Sequence, residues 1–206
     1  MDLKLIYGNM RALCEAPQMM LHYADIPYEY KMVWDHYGSS WAEVKKDIIF
    51  NRLPILIINE DKYLWQSNTI IRYLSNLTKT KPSDEFQLAY CDAVFESTHE
   101  MFSPLNPTIN MTFGEKYNSN KKKLLEDILP NSLNNFEKLL QNSSGNFFIG
   151  NDPFYCDFNA YHHFSMCLIL DKNIFSNFPN LKKFINNFEK LNNIKNYLDG
   201  RPELVE

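Results

Sequence analysis

The spacing of apolar residues changes character once along this chain, and that change limits the folds open to it. Up to about residue 80, short strand-like runs alternate with helical patterns. Leu3 to Tyr7 is a strand candidate, and Leu13, Ala16, Met20 and Tyr23 then recur at helical spacing. Tyr28 to Val33 reads as a second strand and Trp41 to Ile48 as a short helix. Ile55-Leu56-Ile57-Ile58 is apolar throughout and reads as a buried strand, and the polar turn Asn59-Glu60-Asp61 leads to a fourth strand, Tyr63 to Trp65. Ser67 is placed to cap a helix whose apolar face is Ile70, Tyr73, Leu74 and Leu77. The order is β-α-β-α-β-β-α. After a polar stretch with Pro82, only helical periodicity remains: Glu85 to Met101, Lys121 to Gln141 with Pro130 as an expected kink, Cys156 to Leu170, and Pro179 to Lys190. The expectation is an α/β domain over residues 1–80, a linker at about 79–83, and an all-helical domain over 84–206.

Composition narrows the function more than the fold. A chain of 206 residues, 45% hydrophobic and 15% aromatic, has apolar mass for one large domain or two modest ones. A net charge of −4 leaves no electrostatic footprint for nucleic acid or an anionic membrane. The longest apolar runs, Ile55 to Ile58 and Cys167 to Leu170, fall far short of the ~20 residues a membrane span needs. Met1-Asp2-Leu3-Lys4 begins no signal-like segment. A cytoplasmic, soluble protein is expected, with a small molecule or another protein as its partner. Cys14, Cys91, Cys156 and Cys167 show no C-x-x-C spacing, which argues against a disulfide framework or a zinc knuckle. His162 and His163, adjacent on a helix, point to different faces, so no metal site is expected there.

Four segments carry a resemblance. Tyr7-Gly8-Asn9-Met10-Arg11, then Asn51-Arg52-Leu53-Pro54-Ile55-Leu56, then Gln66-Ser67-Asn68-Thr69-Ile70-Ile71-Arg72-Tyr73-Leu74, and finally Phe148-Ile149-Gly150-Asn151 followed by Tyr155-Cys156-Asp157-Phe158 resemble the cytosolic glutathione transferases, the sigma class in particular. The segments run in order over essentially the whole chain. The resemblance implies a thioredoxin-like domain followed by an all-helical one, assembled as a homodimer. It also implies a glutathione transferase for detoxification, with glutathione as co-substrate, small hydrophobic electrophiles as acceptors and no metal. Two other functions are open to such a fold: a non-catalytic binder of glutathione or hydrophobic, haem-like ligands, and a structural protein like the lens crystallins. The last has no need of Tyr7, Trp41, Lys45, Gln66 and Ser67, all present here.

Read as chemistry, the same residues form a candidate site. A free thiol has a pKa near ~8.5, so lowering it by about two units takes roughly 2.7 kcal/mol of thiolate stabilisation. One hydrogen bond to the charged sulfur supplies about 1.5–3 kcal/mol. By resemblance the donor is the hydroxyl of Tyr7, at the end of strand one. Leu53-Pro54 matches the site of the family's cis-proline, which leaves the Leu53 main chain free to pair with the tripeptide; X-Pro bonds at large are cis in only ~5–6% of cases. Gln66 and Ser67 sit at a strand-to-helix turn whose N–H groups can hold the γ-glutamyl carboxylate, while the Ser67 hydroxyl could equally serve as a plain helix cap. Trp41 and Lys45, one turn apart, match positions that contact the glycyl end. Arg52 either adds positive potential there or is a solvated surface charge. By resemblance, His99 and Glu100 match positions where acids cross the dimer interface; only Glu100 keeps a carboxylate, which implies the partner subunit's Glu100 at the ligand's α-amino group, while either side chain could instead be ordinary helix surface.

The electrophile pocket is assigned by position to Gly8, Met10, Leu13 and Phe102, with Ser103 nearby and Leu204 and Val205 as a lid; the same side chains suit ordinary packing. Cys14 reads as a buried structural thiol. Two residues depart from the family pattern. Pro17 falls inside the first helix pattern, tolerable in a first turn or in a helix that starts late. Phe154 stands where a Ser or Thr would complete a capping box with Asp157, so half of that box is missing.

Overall fold

The computed structural model describes residues 1–205. Four strands, β1 (Leu3–Tyr7), β2 (Glu29–Met32), β3 (Ile55–Ile58) and β4 (Lys62–Trp65), form one sheet in the order β2-β1-β3-β4. β1 runs parallel to β2 and antiparallel to β3, which is antiparallel to β4. The uniformly apolar β3 is buried at every residue because its alternate side chains enter two separate cores. Leu56 and Ile58 join the main core with Leu3, Leu5 and Tyr7, beneath α1 (Ala12–Tyr23) and α4 (Ser67–Leu77). Ile55 and Ile57 join Ile6, Val33 and Ile48 in a smaller core on the other face, closed by Trp41 and Val44 from α3 (Trp41–Val44).

The remainder is helical: α5 (Glu85–Met111), α6 (Gly114–Lys123), α7 (Leu129–Asn142), α8 (Tyr155–Leu170), α9 (Pro179–Glu189) and α10 (Asn192–Gly200). α8 is buried along nearly its whole length, as a helix apolar on all sides must be. It packs against α5 on one side and α1 on another. The expected architecture, a thioredoxin-like sheet domain followed by helices, is the one observed. Arg72 of α4 fastens the two parts together through Asp92 (2.8 Å) and Glu96 on α5, with its guanidinium 4.9 Å above the Phe95 ring.

Several boundaries differ from the pattern-based expectation. Val33 opens a five-residue helix, α2 (Val33–Tyr37), instead of closing β2, and α3 hands over at Lys45 to a tighter 3₁₀ turn, Lys45–Asp47. α5 continues ten residues past Met101, through Pro104 and Pro107, where Thr108 donates its hydroxyl to the Pro104 carbonyl (2.8 Å). Pro130 sits within a helical run that continues unbroken from α6 into α7, and the irregularity expected there takes the form of a wide π turn over Leu124–Ile128 directly before it. Pro17 satisfies neither expected condition: α1 starts at Ala12 and continues to Tyr23, so the proline stands in the helix interior and deprives the Leu13 carbonyl of its intrahelical donor. Ser67 is the first helical residue of α4, and Gln66 holds the cap position.

Asp157 shows what remains of the incomplete capping box. Fully buried, it accepts the Phe154 N–H at 2.8 Å and the Phe148 N–H at 3.1 Å, so one carboxylate fixes both the start of α8 and the loop before it. Phe154 contributes only backbone. Burial pushes the Asp157 carboxyl up to about 7, against the pull of those two N–H donors. The native state therefore holds a proton that the unfolded chain releases near ~4, and this residue's contribution to stability falls as pH rises between those values, by at most about 1.4 kcal/mol per unit. Asp157→Ala is expected to destabilise by at least about 2 kcal/mol at pH 4, through two buried N–H groups left without an acceptor. Urea denaturation at fixed protein concentration should show the gap to wild type narrowing as pH rises to 7. A gap that widens instead means that the buried carboxyl is ionised throughout.

Candidate active site

The strand register gathers the candidate residues. Ile55 pairs with Ile6 on β1 and with Trp65 on β4, so the residues just beyond those pairs, Tyr7, Pro54 and Gln66, all lie at one end of three adjacent strands. Tyr7 in turn pairs with Met32 at the end of β2, and the chain leaves that end through α2 and α3, which carry Trp41 and Lys45. Three sequence segments are thus delivered to one edge by backbone pairing, and the chain leaving β2 carries the fourth.

Tyr7 is 7% exposed, and its hydroxyl oxygen accepts the Leu13 N–H at 3.3 Å, in the first turn of α1. Burial, then the neighbouring Cys14, pushes the phenol well above its ordinary value, which the Leu13 N–H only partly offsets. At neutral pH the phenol keeps its proton, and no described residue accepts it. A buried O–H that retains its hydrogen and has the acceptor side already occupied is equipped to donate to an incoming anion. Cys14 is itself fully buried, with its thiol pushed well above the ordinary value by burial, which makes it inert as a nucleophile.

The Leu53-Pro54 bond is cis, directly ahead of β3. Gln66 adopts φ 69° and ψ 116°, a left-handed conformation that costs a non-glycine residue of order 1–3 kcal/mol and recurs at ligand clamps. No side chain caps α4, so its first N–H groups and the buried Ser67 hydroxyl face the same end as Tyr7. The Ser67 hydroxyl meets only Asn68 Oδ1, at 3.5 Å. Trp41 is half-buried against the smaller core, and Lys45 and Arg52 are exposed with no ion pair among the described residues.

His99 and Glu100 part company. His99 is half-buried beside Phe102 and His163, at ring distances of 6.1 and 6.3 Å, and its imidazole is lowered by burial, whereas Glu100 faces outward. Phe102 is 3% exposed and stacks on His163 at 4.2 Å, in the packing of α5 against α8, within the same core cluster against which Met10 and Leu13 lie. Around Gly8 there is room, since an added Cβ would meet only Met10 Cγ at 4.0 Å. Leu204 and Val205 form a strap rather than a loose flap: Arg11 N–H donates to the Val205 carbonyl (2.7 Å), and the Arg11 guanidinium donates to the carbonyls of Leu204 (2.7 Å) and Pro202 (2.8 Å). Tyr30 braces the same loop by donating to the Gly8 carbonyl at 2.7 Å. Neither Arg11 nor Tyr30 stands out in the sequence, because both act on residues made neighbours by the fold.

The comparisons show the family to which the chain belongs. Residues 1–76 match the family description "Glutathione S-transferase, N-terminal domain", and residues 99–201 match "Glutathione S-transferase, C-terminal domain". The chain belongs to the glutathione S-transferase family. It is 32% identical over 173 residues to a glutathione S-transferase of Plasmodium yoelii yoelii, covering 82% of this chain and 79% of that one. Glutathione S-transferase P of Caenorhabditis elegans is 29% identical over 205 residues, covering 98% and 94%. Among solved structures, the Pi-class glutathione S-transferase of Onchocerca volvulus aligns at a TM-score of 0.85 and 26% identity, covering 98% of this chain and 94% of that one. Rat hPGDS, at a TM-score of 0.87 but 24% identity, shares the fold.

The strap makes this transferase testable at a distance from the chemistry. Arg11→Ala removes two charge-assisted hydrogen bonds of about 1.5–3 kcal/mol each and should release residues 202–205. Amide hydrogen exchange should report loss of protection at positions 11 and 205 with α8 unchanged; equal protection in the variant would show that backbone pairing alone holds the strap.

Proposed function

We propose that this glutathione transferase (EC 2.5.1.18) activates its co-substrate by a hydrogen bond from the Tyr7 hydroxyl to the glutathione sulfur, and conjugates the thiolate to small hydrophobic electrophiles. The supporting observation is the Tyr7 hydroxyl itself: protonated, buried, held by the Leu13 N–H, and with its own hydrogen unclaimed. The phenol stabilises the thiolate and is not the nucleophile. The cis Leu53-Pro54 unit offers backbone to the tripeptide, Gln66 and Ser67 with the open start of α4 offer donors to the γ-glutamyl carboxylate, and Trp41 and Lys45 meet the glycyl end, with Arg52 adding positive potential. Gly8, Met10 and Leu13 border the electrophile, while Phe102 acts from behind through packing.

The active unit in this reading is a cytoplasmic homodimer, in which the partner subunit's Glu100 reaches the ligand's α-amino group. Support comes from apolar side chains that one subunit leaves uncovered: Phe86 is 79%, Phe50 60% and Ile49 52% exposed. Residues 1–80 and 84–206 form its two domains, separated where the chain passes from α4 to α5. The sigma-class reading rests on the segments around Tyr7, Leu53-Pro54 and Gln66-Ser67; the relatives' names are P and Mu, so it is the family and not the class that the likeness carries.

Tyr7→Phe should leave glutathione affinity nearly intact while raising the pKa of the bound thiol and lowering kcat together with kcat/KM, because the lost bond is specific to the thiolate. Ultraviolet titration of the bound thiolate beside turnover of chlorodinitrobenzene measures both, and an unchanged thiol pKa with unchanged turnover removes Tyr7 from the mechanism. Sedimentation should give twice the 24.4 kDa chain mass, and Phe86→Asp should shift that equilibrium towards monomer. A monomer at micromolar concentration with full turnover refutes the dimer and the role of Glu100 across it.

A further inference from the structure

The loop of residues 8–11, which joins β1 to α1, carries Gly8 and Met10 and is held differently from the tyrosine before it. Tyr7 is fixed at both ends: its backbone pairs with Met32 in the β1–β2 ladder, and its hydroxyl oxygen accepts the Leu13 N–H. Gly8 lies just beyond the last paired residue of β1 and has no side chain to pack. The path of the loop therefore depends on the groups that meet its backbone.

Tyr30 meets two of its carbonyls. In the parallel register Tyr30 lies opposite Leu5, a residue of the main core, so its ring stands on the α1 face of the sheet and packs against that core. From there its hydroxyl donates to the Gly8 carbonyl at 2.7 Å, with the Met10 carbonyl at 3.4 Å as a second, weaker acceptor. Burial pushes the Tyr30 phenol well above its ordinary value, so the hydroxyl remains a donor at neutral pH. On the other side of the loop, the Val205 N–H donates to the Asn9 carbonyl at 3.3 Å and the Arg11 N–H to the Val205 carbonyl at 2.7 Å. The loop is thus clamped between β2 and the C-terminal strap.

We propose that Tyr30 is a positioning residue that sets electrophile specificity: by holding the Gly8 carbonyl it fixes the wall that Gly8 and Met10 present to the electrophile, without acting on the glutathione sulfur. The inference rests on the assignment of Gly8 and Met10 to the electrophile side. The division between the two halves of the site follows from the hydrogen bonds. Without the Tyr30 hydroxyl, the β1–β2 ladder and the Leu13 N–H still hold Tyr7, whereas the peptide after Gly8 loses its donor and regains the freedom of a glycine. Binding of the electrophile must then order that peptide again, which weakens its apparent affinity.

Tyr30→Phe keeps the ring and removes only the donor. Measured in the intact protein, the variant should show KM for chlorodinitrobenzene raised about tenfold, the effect of one hydrogen bond. KM for glutathione and the pKa of the bound thiol, read by ultraviolet titration, should match wild type. A merely structural role would move both KM values together with the thermal midpoint. Met10→Ala, measured beside it, tests the wall directly. An unchanged chlorodinitrobenzene KM in Tyr30→Phe, with a changed one in Met10→Ala, overturns the role of Tyr30 and leaves the pocket assignment standing. A rise in both KM values of Tyr30→Phe, or a shifted thiol pKa, overturns it too, because Tyr30 would then act on the whole site. If neither variant moves the chlorodinitrobenzene KM, the pocket assignment falls and this inference falls with it.

Discussion

The pairing of Ile55 with Ile6 on one side and Trp65 on the other is the constraint on which the rest of this molecule depends. A slip of one residue in either ladder would exchange the two faces of β3, sending Ile55 and Ile57 into the core meant for Leu56 and Ile58. Since all four side chains of β3 are apolar, an exchange would cost repacking rather than burial, and the β3–β4 register is fixed in addition by the tight turn between them, where Asn59 (φ 50°) and Glu60 (φ 66°) are left-handed. Tyr7, Pro54 and Gln66 inherit their positions from that pinning. The site is therefore preorganised by residues that never touch a ligand, which is how a rigid sheet supports chemistry on the loops at its end.

Much of this was legible in the sequence, and the reasons are particular. β1 and β3 lie where their apolar runs place them, because a run of four or five apolar residues between polar breakers has few alternatives. The motif at Gln66-Ser67 announced a strand-to-helix junction, although which residue caps it turned on the left-handed backbone of Gln66, invisible in composition. α2 escaped notice because five residues are too few to display a 3.6-residue period, and α10 because Asn192-Asn193 and Asn196 dilute its apolar face. The prolines were only partly legible: α5 runs on past Met101 through Pro104 and Pro107, and the irregularity expected at Pro130 is a π turn directly before it.

What stayed hidden is of one physical kind. Arg11 binds carbonyls more than 190 residues away, and Arg201 meets Glu15 across 186, so their roles exist only once α10 and the strap have packed on α1. Glu15 carries no mark of burial in the sequence around it. It is instead 1% exposed, raised by burial and held by Arg201 and Tyr197 against that cost. Long-range ion pairs of this sort leave no local periodicity behind them.

The Pro17 irregularity can be read in the same terms. A proline in the interior of α1 sacrifices one hydrogen bond, yet the helix is flanked by more than propensity. Its first turn is tied to Tyr7 through the Leu13 N–H and to the strap through Arg11, and its middle is anchored to α10 through Glu15. The carbonyl that Pro17 leaves without a donor is that of Leu13, whose N–H, on the preceding peptide, donates to the Tyr7 hydroxyl oxygen. The lost bond spans the first turn, and the packing of α1 against α4, α8 and α10 holds the helix across it. Burial of Tyr7 keeps the phenol protonated, and the Leu13 N–H keeps it oriented.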